Sequence, residues 1–125
     1  MIPKFRMWNK TRKEMFSVLE IDFKNKLAAD ETYWGAHFFD EIELMQSTGL
    51  VDWEGVEVYE GDIVKIPDDY EVFGKNAGEI CKVVFDSGCF RLKTLYGRGR
   101  GFWFEDDNMV TIIGNIYENP ELLKA

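Results

Sequence analysis

A chain of 125 residues that is 46% hydrophobic and 15% aromatic holds enough material for a sizeable core, which excludes an intrinsically disordered chain and favours one domain over two. A formal net charge of −8 and a pI of about 4.7 repel phosphate backbones at long range and so work against non-specific nucleic-acid binding. No stretch has the apolar length of a signal peptide or of a membrane span, roughly 18 residues, so the expectation is a cytoplasmic protein.

Lys4 to Trp8 alternates as a strand, with Arg6 and Trp8 on the face opposite Phe5 and Met7. Asn9-Lys10-Thr11-Arg12-Lys13 is a polar turn, and Glu14 to Phe23 resumes as a second strand rich in aromatic and β-branched residues. Between Asn25 and Asp40 the pattern is mixed, and Lys26-Leu27-Ala28-Ala29 reads either as a helical turn or as a loop. Ile42 to Gln46 returns to strand alternation, with Ile42 and Leu44 on one face. Asp52-Trp53-Glu54-Gly55 is a four-residue reversal whose glycine is free to take a positive φ. Val56 to Tyr59 is then a short strand, Glu60-Gly61 breaks it, and Asp62 to Ile66 starts another. Tight turns between short strands are the grammar of a small barrel. Pro67 to Gly78, with its proline, acids and glycines, is expected to be a mobile surface loop.

The clearest hairpin follows. Glu79 to Phe85 and Cys89 to Leu95 flank Ser87-Gly88, and a two-residue loop sets Phe85 opposite Phe90, Val83 opposite Leu92 and Cys81 opposite Thr94. These pairs share one face, as a buried face requires, whereas a one-residue slip would set Val83 against Arg91. The same register puts about four residues of ladder, on the order of 13 Å, between Cys81 and Cys89. A disulfide needs Cα atoms within roughly 7 Å, so two free thiols are expected, in keeping with a reducing compartment. Tyr96 to Gly101 is broken by glycines, Phe102-Trp103-Phe104 follows, and Glu105-Asp106-Asp107-Asn108 is an acidic turn. Met109 to Tyr117 is a β-branched strand in which Gly114 marks a bulge or a close approach. In Asn119-Pro120-Glu121-Leu122-Leu123, asparagine can cap, proline suits the first helical position and Glu121 suits the positive end, giving one helical turn anchored by its leucines.

Four segments, taken in order and at this spacing, carry a resemblance. They are Ile2 to Asn9, Leu44 to Leu50, Glu57 to Val64 and Ile113 to Leu123. Together they resemble the YopX family of phage and prophage proteins, over a single domain 1–125 with variable segments at about 25–40 and 67–78. The resemblance implies a mostly-β protein with an SH3-type small barrel, encoded by phages or prophages and working in the cytoplasm of a bacterial host cell. It implies no reaction. It makes Arg6, Trp8, Gly61, Asp62, Gly114, Asn115 and Pro120 structural motif residues. Where the family has a lysine-asparagine-glycine turn, this chain has Asp52-Trp53-Glu54-Gly55, which puts an exposed tryptophan and a partner contact at the tip.

Arg98-Gly99-Arg100-Gly101-Phe102-Trp103-Phe104 could stack bases and contact phosphates, as in single-strand binders; the plainer reading is a glycine-rich turn whose arginines balance nearby acids. Neither Asp68-Asp69 nor Glu105-Asp106-Asp107 has the spacing of a metal loop, and His37, the only histidine, lacks a second imidazole and a triad spacing. Nothing activates Cys81 or Cys89 as a nucleophile. The reading is therefore a non-enzymatic interaction module, with no catalytic residue, metal or cofactor. Its contacts with a protein partner or a second copy would run through Trp53, Trp103 and the Tyr33-Trp34 region. The alternative is a small nucleic-acid-binding barrel using Arg98, Arg100 and Phe102 to Phe104.

Overall fold

The computed structural model describes residues 2–32, 35–95, 102–103 and 109–123. They form two compact units, Met1–Ser47 and Thr48–Ala125.

In the first unit β1 (Phe5–Asn9), β2 (Glu14–Asp22), β3 (Leu27–Asp30) and β4 (Ala36–Phe38) lie in the order β4-β3-β2-β1. β5 (Ile42–Val51) adds to β1, with Met7 opposite Leu44 and Trp8 opposite Glu43. Every pairing is antiparallel. Asn9 explains the first reversal: its buried Oδ1 accepts the N–H groups of Thr11 and Arg12 at 3.1 and 3.0 Å, forming an Asx turn. The core is Met7, Phe16, Ala28 and Ile42, with Val18, Ile21, Phe39 and Leu44 packed against it. Ile42 and Leu44 therefore do serve one apolar cluster. Lys26 does lie in a turn, but Leu27 to Ala29 is neither a helical turn nor a loop. Leu27–Asp30 is a strand held between β2 and β4, and its alternating burial of Ala28 and Asp30 comes from that pairing. Alanine has little intrinsic preference for strands, so only tertiary pairing selects this conformation.

β5 runs on past Ser47 into the second unit, where β6 (Glu57–Tyr59) pairs with it. There the Thr48 hydroxyl donates to the Val58 carbonyl at 2.7 Å and accepts the Leu50 N–H at 3.1 Å. The second sheet is antiparallel, in the order β10-β9-β8-β7-β11, from β7 (Asp62–Lys65), β8 (Ile80–Asp86), β9 (Cys89–Thr94), β10 (Phe102–Trp103) and β11 (Thr111–Asn115). The β8–β9 register is the expected one: Phe85 opposite Phe90, Val83 opposite Leu92, Cys81 opposite Thr94. Ser87 and Gly88 both have positive φ, 54° and 83°, which is the mirror-image turn that matches strand twist and explains the two-residue loop. Cys81 and Cys89 are free thiols. Val83, Leu92 and Cys81 are buried with Val58, Val64, Ile66 and Val110, while Phe85 at the hairpin tip is exposed and stacks edge-on against Phe90 at 5.0 Å.

Three local expectations need correction. Residues 67–78 are not a plain loop: Tyr70–Phe73 is a short helix, α1, and Gly74–Asn76 a 3-10 turn. Asp69 starts α1, because its Oδ1 accepts the N–H groups of Glu71 and Val72. Pro120–Leu123 is a 3-10 turn, but the Asn119 side chain does not cap it. Its Oδ1 instead accepts the Asn115 N–H at 3.2 Å, and the Leu122 N–H goes to the Asn119 backbone carbonyl. Leu123 stays exposed, so the leucine pair is not a double anchor. Among the described residues neither sheet closes on itself: β4 and β6 are the edges of one, β10 and β11 of the other. The protein is mostly β, in two antiparallel sheets.

Candidate functional site

The site is built from the turn that follows β5. Asp52 is buried, and its carboxylate gathers N–H groups from two directions. Oδ1 accepts those of Glu54 and Val56, both at 2.9 Å, and Oδ2 accepts that of Ile112 on β11 at 3.1 Å. The Trp53 N–H donates to the Val110 carbonyl at 2.8 Å, and Gly55 closes the reversal at φ 84°. The backbone of the tip is thus fixed to β11, while the Trp53 side chain is left 69% exposed. Surface tryptophan of that exposure stands out, since large apolar rings are normally buried.

Beside Trp53 lies a groove of about 400 Å³, lined further by Ile66, Pro67, Phe73, Met109 and Thr111 and by the charged residues Lys65, Asp68 and Asp69. Ile66 belongs to the core cluster and Phe73 packs against it. Lys65 and Asp68 approach at 3.5 Å across exposed surface, a pair that contributes little on its own. Asp69 is held in place by its cap of α1. An apolar lining that includes an indole and two carboxylates can bind a partner group.

The other motif residues occupy structural positions. Gly61 and Asp62 form the corner between β6 and β7: the Gly61 N–H donates to Val83, its carbonyl accepts from Ile116, and Asp62 Oδ2 accepts the Tyr59 N–H at 2.8 Å. Gly114 marks a register shift in the β11–β7 pairing, and a Cβ there would fall 2.6 Å from Asn119 Oδ1, so both a bulge and a close approach are present. Buried Asn115 accepts the Tyr117 and Glu118 N–H groups at 3.0 and 2.8 Å and donates to Glu118 Oε1, shaping the turn before exposed Pro120. Arg6 is half-buried opposite Ser17 and Met45, and Trp8 is nearly buried opposite Met15 and Glu43. Phe102 and Trp103 form β10, opposite Leu92 and Arg91. Arg98, Arg100, Phe104 and the Tyr33-Trp34 pair lie outside the described residues.

One cluster has no signal in sequence spacing. Asp30, at the end of β3, is 1% exposed and lies 2.8 Å from His37 Nε2 on β4. Its Oδ1 also accepts from the Thr32 N–H at 2.8 Å and from the Thr32 hydroxyl. Burial pushes this carboxyl up, but the hydrogen bonds from Thr32 and His37 and the imidazole's charge outweigh it and hold the group below its ordinary value. The Asx-turn pattern Asp30-Glu31-Thr32 was the available hint; the histidine partner emerges only when β3 and β4 pair. The cluster clips an edge strand to its neighbour. Cys81 is fully buried, and desolvation with the nearby Glu79 charge pushes its thiol up to about 12, which removes it as a nucleophile. Among the described residues no group of three or more His, Cys, Asp or Glu is placed to hold a metal ion. No described helix is long and apolar enough to cross a membrane.

The fold and the groove define a small, mostly-β protein that presents an apolar surface groove with acidic residues in its lining. The YopX protein family model matches residues 4–124, and the chain belongs to that family. Among solved structures it is similar to protein EF1440 from Enterococcus faecalis, at 27% identity and a TM-score of 0.68, covering 99% of each chain. It is also similar in fold to protein yopX from Bacillus subtilis, at 22% identity and a TM-score of 0.62, covering 98% of this chain and 96% of that one. No curated protein matches.

Proposed function

We propose that the chain is a non-enzymatic interaction module of phage or prophage origin that works in the cytoplasm of a bacterial host cell, with its second unit derived from an SH3-type barrel. It acts by contact, with a protein partner or a second copy, through the groove at Trp53. One observation carries the reading: a tryptophan 69% exposed on a turn that is itself fixed by six hydrogen bonds of its backbone and of the Asp52 carboxylate. A rigid support with an exposed indole is the arrangement from which binding hot spots are drawn, because tryptophan supplies large contact area at small entropic cost. Family membership and the β-meander of the second sheet support the origin and the barrel ancestry.

The test is Trp53→Ala in two assays. Affinity capture from lysate of infected host cells should recover a partner with the parent chain and lose it with the variant, while light scattering of both proteins across concentration reports any self-association through the same surface. A partner retained equally by Trp53→Ala, with light scattering unchanged, refutes the groove as the contact surface.

A further inference from the structure

The groove's chemistry specifies more than an apolar contact. Its lining joins the apolar Ile66, Phe73 and Met109 to Trp53 and to two carboxylates, Asp68 and Asp69. Asp68 is 80% exposed at its side chain, so its carboxylate is accessible beside its long contact with Lys65. Asp69 uses Oδ1 to cap α1, which holds its carboxylate in place. An indole face attracts a cation within about 6 Å of the ring, and a guanidinium or ammonium in the groove would also meet the lining carboxylates. Lining charges number two acidic against one basic, and the whole chain carries −8, so the approach of a basic segment is favoured and that of an acidic one opposed. The volume of about 400 Å³ is near the low end of the roughly 300–1,000 Å³ of ligand pockets, which suits a short anchor from a larger partner.

Resting on the interaction-module reading, we infer that the groove lined by Trp53 and Phe73 of α1 takes a short peptide segment in which an arginine or lysine adjoins an apolar side chain, the apolar group seated on Ile66, Phe73 and Met109 and the cation held by the Trp53 indole together with Asp68 and Asp69. The partner is therefore a protein with an exposed basic-apolar segment.

Three acetylated and amidated peptides test this by amide chemical-shift titration of the full chain: Gly-Arg-Leu-Arg-Gly, Gly-Ser-Leu-Ser-Gly and Gly-Glu-Leu-Glu-Gly. The basic peptide should shift the amides of Ile66, Phe73 and Thr111 and the Trp53 indole N–H, and the acidic peptide should not. Trp53→Ala should weaken the basic peptide by about twofold to fivefold. Asp68→Asn with Asp69→Asn, which keeps the α1 cap acceptor, should weaken it by about fivefold at low salt. Equal binding of the serine and arginine peptides overturns the cation site while leaving the groove a binding surface. Binding of the acidic peptide in preference overturns it too, as does failure of every peptide to move these resonances. If the same resonances move with protein concentration alone, a second copy is the occupant, which overturns the inference while supporting contact through the groove.

Discussion

Replacing Asp52 by alanine should destabilise the second unit by about 3 kcal/mol. Three backbone N–H groups lose a charged acceptor: those of Glu54, Val56 and Ile112, at 2.9, 2.9 and 3.1 Å. A hydrogen bond to a charged group contributes roughly 1.5–3 kcal/mol, so the three sum to about 4.5–9 kcal/mol if taken alone. Glu54 and Val56 are exposed, so water can satisfy those two donors once the carboxylate is gone, whereas Ile112 packs against the core cluster. Discounting the exposed pair brings the total to about 3 kcal/mol, a large part of the roughly 5–15 kcal/mol that keeps a domain folded. Urea unfolding reads the result: with a slope of roughly 1–3 kcal/mol/M, the midpoint should fall by on the order of 1–3 M at unchanged slope. Asp52→Asn should lose about half as much, because one oxygen can still serve the turn while the amide now faces the Ile112 N–H. A loss below about 1 kcal/mol for Asp52→Ala would show that the carboxylate does not join the turn to β11 and would refute the reasoning.

Thiol reactivity separates the cysteines: native protein should react through the half-exposed Cys89 alone, and two thiols should appear in denaturant, as counted with a chromogenic disulfide reagent. With its folded value raised to about 12 against an ordinary 9.0, Cys81 opposes deprotonation, so stability should decline as pH rises above about 9, and Cys81→Ala should remove that part of the decline. Asp30 has the opposite sign. Its folded value lies below the ordinary 3.8, so its contribution is complete above that pH and is lost as pH falls through the lower folded value; Asp30→Asn should flatten this acid limb in pH-dependent unfolding. Gly114→Ala should cost about 1–3 kcal/mol, because the new Cβ meets Asn119 Oδ1 at 2.6 Å, and a thermal scan showing no loss would mean that Asn119 moves aside freely.

Local chemistry made much of the fold legible. Ser87-Gly88 can supply two positive φ angles, so the hairpin loop length, its register and the separation of the cysteines all followed from one dipeptide. Gly114 was readable because a glycine inside a β-branched strand has few other uses. The strand Leu27–Asp30 was not readable, since its conformation is imposed by neighbours on both sides and not by its own side chains. α1 was missed for a different reason: its cap, Asp69, sits among turn formers that also suit a loop. The same limits apply to the site. Trp53 was recognisable as the residue at a turn tip, but its neighbours Phe73 and Met109 come from segments 20 and 56 residues further along the chain.

The sequence by itself determined the mostly-β class, the turns, the thiol state and the family, because each rests on short-range backbone preference or on ordered motifs. Only the tertiary structure decided which acids are buried. Asp52 was legible as a turn residue and Asp30 as one acid among many; burial turned the first into the clamp that presents Trp53 and the second into the partner of His37. The physical reason is that a carboxylate is stable inside a protein only where several donors converge on it, and here one donor to each acid, the Ile112 N–H to Asp52 and the His37 imidazole to Asp30, comes from a strand that meets it only on folding.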